Sequence, residues 1–217
     1  MSRIIVFGAA GRLGRLVVAE AAGRGHAVTA AVRDPARSRP VADGVDGVDV
    51  VAADVTDAAA VAAAAAGHDA AVASLYQTAL PHDVFYAGST AALLAGLATA
   101  GVGRLVVVGA APNLEVSPGV RLMDTPGFPA EHLPFALGHT AALHVLRAST
   151  GAVDWLMLTP PMVFSPEAPA TGAYVLGGDA VLLAPDDPTP LAYADAARAI
   201  VDEATAPTRH RERAAIA

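Results

Sequence analysis

Three evenly spaced glycines, Gly8, Gly11 and Gly14, follow a short apolar run, Ile4 to Phe7, and open a helical pattern. Glycines at this spacing suit a pyrophosphate held between a strand and a helix. Gly8 permits a tight turn, Gly11 lets phosphate oxygens approach the backbone, and Gly14 lets the helix pack on the sheet. The helix N-terminus adds unpaired N–H groups and the positive end of its dipole. Ala10, Arg12 and Leu13 complete the loop and are expected at the same ligand. The second apolar run ends in AAVRDPAR, which puts Arg33 where an NAD-preferring site carries an acid for the ribose hydroxyls. A guanidinium there can fork onto a 2′-phosphate, assisted by Arg12, so NADP (NADPH) is favoured and NAD is less favoured. Asp34 could still serve a ribose hydroxyl.

The remaining candidates for chemistry are fewer. His132 and His139 fall where a proton donor could stand, and either could be protonated near neutral pH; a surface or helix-face histidine is the plainer reading of both. His139 and His144 are five apart and share no helical face, so no metal site is expected. His82, followed by Asp83, reads as a helix start. Tyr76 and Tyr86 could stack on a flat substrate or pack in the core. Asp124 could orient a substrate or cap a turn, and Asp195 is expected to cap the last helix. No Ser-His-Asp set or carboxylate pair stands out.

These residues need a frame. Short apolar runs at Ile4–Phe7, Ala27–Val32, Val48–Ala52, Ala70–Ala73, Leu105–Val108 and Trp155–Leu158 lack polar alternation, as strands buried on both faces of a parallel sheet do. Helical patterns lie between them. Leu13, Leu16, Val17 and Ala21 share one face, closed by Gly23 or Gly25. Thr56 is expected to cap a helix from Asp57 to Ala66. Further helices are expected from Asp83 to Ala100 and from Phe135 to Ala148. Alternation of this kind predicts an α/β Rossmann-type fold, a doubly wound parallel sheet with helices on both faces, in a single domain over 1–217. Two long Pro- and Gly-rich stretches, 109–134 and 160–190, start where strands end and so fall on the substrate side. Within the second, AYVLGGDAVLL predicts a small hairpin around Gly177-Gly178-Asp179.

Composition narrows the partners. In 217 residues the net charge is −7, and the one short basic stretch, Arg209 to Arg213, reads as a tail, so nucleic acid is not expected. No run is apolar enough to span a bilayer and no signal-peptide pattern opens the chain, so cytoplasmic residence is expected. Cys is absent, and all 14 basic residues are Arg. That removes a thiolate nucleophile, a Schiff-base lysine and a Tyr–Lys catalytic pair.

Several motifs, VFGAAGRLG, VRDPAR, AADVTD, VVVGAAP…GVRLMDTPGFP and YVLGGD…LAYADAARAIVDE, resemble the atypical short-chain dehydrogenase/reductases over nearly the whole chain. The subgroup they resemble is the NAD(P)H-binding, NADH-flavin-reductase-like and biliverdin-reductase-B-like proteins. The resemblance implies that Asp54 and Val55 flank the adenine, and that Ser74, with Leu75, lies near the cofactor. It also implies Thr159 and Pro160 beside the nicotinamide, with Gly109 at the end of the fifth strand. The chain departs from the wider family where proton delivery is concerned. That strand ends Gly109-Ala110-Ala111 without a Ser, and PAEHLPFALGH stands where a Tyr-x-x-x-Lys pair would lie. A flavin-type acceptor tolerates this, because it takes hydride and can gain its proton from solvent. Three functions stay open: an NADPH-dependent reductase of a flavin, quinone or similar flat conjugated acceptor; a natural-product tailoring enzyme on the same scaffold; and an NADP(H)-sensing binding protein. The substrate, aromatic or conjugated, and the oligomeric state, monomer or homodimer, are not fixed by sequence.

Overall fold

The Val- and Ile-rich runs form the strands that their lack of alternation predicts, because neighbouring residues along each run face two different cores. In the first strand, β1 (Arg3–Phe7), Ile4 and Val6 pack on one side of the sheet while Ile5 and Phe7 pack on the other. The computed structural model describes residues 1–37, 47–77, 79–182 and 189–217. After β1 come α1 (Arg12–Gly23), β2 (Ala27–Val32), β3 (Val48–Ala52), α2 (Ala58–Ala65), β4 (Ala70–Ala73), α3 (His82–Ala100) and β5 (Arg104–Val108). A small antiparallel pair follows, β6 (Glu115–Ser117) with β7 (Val120–Arg121), and then α4 (Leu133–Ala148) and β8 (Asp154–Thr159). The chain closes with β9 (Phe164–Ser165), β10 (Leu191–Ala192), α5 (Tyr193–Thr205) and β11 (Glu212–Ala215).

Seven strands form one sheet in the order β11-β8-β5-β4-β1-β2-β3, and every pairing is parallel. Helices α1 and α5 cover one face around Val17, Val18 and Ile200; α2, α3 and α4 cover the other around Leu93, Leu97 and Leu146. The strand order reverses between β1 and β4, and that reversal opens the crevice in which open α/β sheets bind ligands.

Four local readings of the sequence change. The stretch Arg209–Arg213 is not a solvated tail: it leads into β11, the seventh strand, which pairs with β8. Arg213 is only 5% exposed there, because its charge is met inside the fold. Asp57, not Thr56, caps α2, its carboxylate accepting from Ala59 N at 2.8 Å, while Thr56 turns back to Asp54. Asp195 makes no cap bond to α5 and instead accepts from another loop. The chain does turn at Gly177-Gly178, with Leu182 folded over Gly177, but no hairpin ladder forms among the described residues. Leu176 bridges antiparallel to Ile216 and Ala180 bridges to Glu115, so each arm pairs with a different part of the chain.

Candidate active site

The three glycines make a closed cradle. Gly8 leaves β1 in the left-handed region, with φ +79°. A Cβ on it would run into the carbonyl of Ser74, at 2.8 Å from the carbonyl carbon, so the turn is pressed against the end of β4. A Cβ on Gly14 would overlap the Gly8 carbonyl and lie 3.0 Å from Ala9 Cα, which is how closely α1 approaches the turn. Gly11 differs: its N–H donates to Gly8 O at 2.9 Å, and a Cβ there would meet protein only at 3.1 Å. Gly11 is also the N-cap of α1 and supplies no side-chain cap, so the N–H groups of Arg12, Leu13 and Gly14 precede the first intrahelical donor, Arg15 N. Ala10, Gly11 and Arg12 are exposed at this rim, while Leu13 and Gly14 are buried beneath it. A cradle that only glycine permits, beside an uncapped helix N-terminus, fits the pyrophosphate of a dinucleotide.

On the β2–β3 side, Arg33 is exposed immediately after β2 and lies close enough to Asp54 to favour its charge. Asp54 is held below the ordinary carboxylate range chiefly by the Thr56 hydroxyl at 2.7 Å, then by the Thr56 N–H. Asp34 accepts from Ala36 N at 3.0 Å. Val55 is buried beside Asp54. This side therefore presents one cation and two oriented carboxylates at the sheet's C-terminal edge.

Beyond β4, Ser74 and Leu75 are half-buried against the Gly8 turn. Gly109 is needed for space, since a Cβ would overlap Thr159 Oγ1 and come within 3.0 Å of Met157 Cγ. Thr159 is fully buried, and its hydroxyl has no partner among the described residues. Pro160 lines a small apolar recess with Leu13, Val108, Leu158 and Phe164. Gly8, Ser74, Gly109, Thr159 and Pro160 thus converge on the ends of β1, β4, β5 and β8, although Thr159 and Pro160 stand behind the surface.

Two anchors hold the long loops over this edge. Asp195 is 3% exposed and accepts from Thr171 N, Thr171 Oγ1 and Gly172 N at 2.8, 3.0 and 2.9 Å. Burial alone would raise its pKa; the Thr171 and Gly172 donors outweigh that and lower it. Arg213, from β11, donates to the Asp179 carboxylate at 2.7 Å and to the Asn113 carbonyl. Asn113 in turn donates to Ala136 O in α4 at 3.1 Å and accepts from Thr140. Asp124 pairs with Arg121 at 2.7 and 2.9 Å.

The two histidines differ sharply. His132 is exposed, its ring 6.5 Å from that of Phe128. His139 is 3% exposed, between α3 and α4, 4.2 Å from the ring of Tyr86 and 4.6 Å from that of Phe135. Burial, with the neighbouring His82 as a second cause, pushes its pKa down to about 3. A charge on His139 near neutral pH, which the sequence left open, is disfavoured, since no counter-charge offsets its desolvation. Tyr86 is buried, donates to Leu75 O at 3.1 Å, and has its phenol pKa raised by burial. Tyr76 is 69% exposed, 6.0 Å from the ring of Phe135. Sequence reasoning missed Phe135 and His82 as members of this cluster. The Phe135–His139 spacing of four on one helix was the available signal. For Asn113 and Arg213, whose partners are distant in sequence, there was none.

The sequence profile of the NAD(P)H-binding family matches residues 8–207. An uncharacterized protein of Bacillus subtilis, YwnB, is 33% identical over 213 residues, covering 97% of this chain and 96% of that protein. Among solved structures, a protein of Burkholderia pseudomallei provisionally named as exported superposes with a TM-score of 0.87 at 34% identity, covering all of both chains. A protein of Streptococcus pneumoniae provisionally named an NADH-flavin reductase superposes with a TM-score of 0.84 at 27% identity, covering 100% of this chain and 99% of the other. With its glycine cradle at the sheet's switch point and atypical short-chain dehydrogenase/reductase motifs along its length, the chain belongs to the NAD(P)H-binding family.

Proposed function

We propose that this NAD(P)H-dependent oxidoreductase reduces a flavin, quinone or similar flat conjugated acceptor, with NADPH as donor and water as the proton source. When bound, the reduced nicotinamide supplies a hydride. The chain's own residues do the rest. Gly8, Gly11 and Gly14 hold the pyrophosphate, Arg33 and Arg12 favour a 2′-phosphate, and Asp54 lies on the adenosine side. The loops pinned by Asp195 and Arg213 wall the acceptor.

The observation that carries the reading is that His139, the histidine buried behind this cradle, has no counter-charge to keep it protonated and no partner among the described residues. His139 is neutral at physiological pH, the fifth strand ends in Gly109-Ala110-Ala111 and the chain has no Lys. A simple ketone needs a positioned acid, which contributes about 10²–10⁴-fold to a rate; an acceptor that spreads the added charge over a conjugated ring does not. The S. pneumoniae relative's name supports a reductase of this kind. Among the described residues no helix is long and apolar enough to cross a membrane, and we place the reaction in the cytoplasm, where NADPH is regenerated.

The test is loss of NADPH absorbance against a panel of flavins, quinones and enones. Acceptor-dependent oxidation with flavins or quinones is expected. Tight NADPH binding without turnover on any of them would overturn the reading in favour of a sensor, and turnover confined to enones would favour a tailoring enzyme.

A further inference from the structure

Five rings meet where α3 and α4 begin: Tyr76, His82, Tyr86, Phe135 and His139. Phe135 touches all four others, at centroid distances of 6.0 Å to Tyr76, 5.8 Å to His82, 6.0 Å to Tyr86 and 4.6 Å to His139. The cluster grades from solvent inward, with Tyr76 exposed, Phe135 and His82 half-buried, and Tyr86 and His139 buried. It borders the cofactor cradle, because Tyr86 donates to Leu75 O and the adjoining Ser74 carbonyl closes the Gly8 turn. The two helices approach so tightly here that a Cβ on Gly138 would fall 2.7 Å from Tyr86 and 2.9 Å from His82 Cβ.

Three nitrogens inside this cluster have no partner among the described residues: Nδ1 and Nε2 of His139, and Nδ1 of His82. A buried imidazole with both nitrogens unpaired is a net cost to the fold, whereas an apolar side chain of similar size would cost nothing. No other described residue uses these atoms. The rings beside His139 are those of Tyr86 and Phe135, and Phe135 lies between exposed Tyr76 and buried His139.

We propose, building on the reductase reading above, that this cluster is a slot for the hydrogen-bonding edge of a flat heteroaromatic acceptor such as an isoalloxazine. Phe135 yields its place to the acceptor ring, Tyr76 stacks on the acceptor, and the imidazoles of His139 and His82 pair with the acceptor's polar edge. A neutral imidazole both donates and accepts, which matches the alternating N–H and C=O groups of such an edge. The slot thus selects heteroaromatic acceptors over bare hydrocarbon rings without supplying a proton.

The test compares wild type with His139→Leu, of similar volume but without polar atoms, and His139→Gln, which keeps a donor and an acceptor. Riboflavin binding is read without NADPH by quenching of flavin fluorescence, thermal stability by melting, and turnover separately by NADPH oxidation. His139→Leu is expected to melt about 2–4 °C higher and to bind riboflavin about tenfold more weakly, with unchanged affinity for NADPH. His139→Gln is expected to recover most of the riboflavin binding. Riboflavin binding that depends on His139, without NADPH-driven reduction, would keep the slot and sink the reductase reading. Reduction of riboflavin with the same flavin affinity in all three proteins would overturn the slot and leave the reductase reading standing, as would an ordered water satisfying His139 in place of an acceptor. No riboflavin binding by wild type would also overturn the slot.

Discussion

His139 should make this protein acid-sensitive by an amount that can be calculated. Its imidazole has an ordinary pKa of 6.5 and is held at about 3 in the fold, because burial penalises the cation and His82 adds to that penalty. The folded-state pKa is the lower one, so the unfolded chain binds more protons between those values. Stability is therefore full above about pH 6.5 and lost progressively as pH falls toward the folded value. Each pH unit below the unfolded pKa costs about 1.4 kcal/mol, so lowering the pH from about 7 to about 5 removes about 2 kcal/mol. That figure depends only on the unfolded pKa as long as the folded one stays well below 5, and it is a sizeable part of a total of about 5–15 kcal/mol. The assay is urea unfolding of wild type and His139→Leu at both pH values. The carboxylates with lowered pKa values, Asp54, Asp124 and Asp195, are present in both proteins and cancel in the difference. The variant should lose about 2 kcal/mol less than wild type on acidification. Parallel losses in the two proteins, or a histidine resonance assigned to position 139 titrating near its ordinary pKa, would refute the reasoning.

Other expectations are more local. Gly11→Val should fold but fail to bind NADPH, since protein approaches a Cβ there only to 3.1 Å, whereas Gly14→Ala should be clearly destabilised by the overlap with Gly8 O; circular dichroism and a cofactor titration separate the two. Arg33→Ala should weaken NADPH by about 1.5–3 kcal/mol and leave NADH nearly unchanged; equal affinities for the two cofactors in wild type would reject the assignment. Asp195→Ala strips three donors of their acceptor and should cost about 1–3 kcal/mol, with protease nicking near Thr171 as its signature. His132→Ala should keep most of the flavin-dependent rate if, as proposed, the proton comes from water; a loss of about 10²-fold or more with NADPH affinity intact would promote His132 to catalytic residue.

The sequence made the frame legible where local chemistry decided the structure. Doubly buried strands announce themselves as unbroken apolar runs, and the glycine turn could be read because each glycine answers a local steric demand. Legibility failed where the deciding partner was remote. Thr56 and Asp57 both suit an N-cap, and the choice was made by Asp54 claiming the Thr56 hydroxyl. Asp195 sits where a first-turn acid normally serves its own helix, yet Thr171 and Gly172 take it. The run Arg209–Arg213 has the composition of a tail, and only Asp179 and the Asn113 carbonyl, far away in the chain, make a buried arginine tolerable in β11. The burial of His139 follows from the close α3–α4 approach at Gly138, which no single helix pattern contains.

The place of β11 bears on how the protein is made. Arg213 meets Asn113 across 100 residues and Asp179 across 34, and contacts of such separation form only after a large loop has been closed. During synthesis the nucleotide half, β1 to β4, can close while the remainder of the chain is still being extended. The side that carries the long loops cannot, because those loops are tied to β11, which follows them in the chain. A nascent chain stalled before Arg213 would present the glycine turn beside an open β8 edge, with the loops that β11 anchors still unpinned.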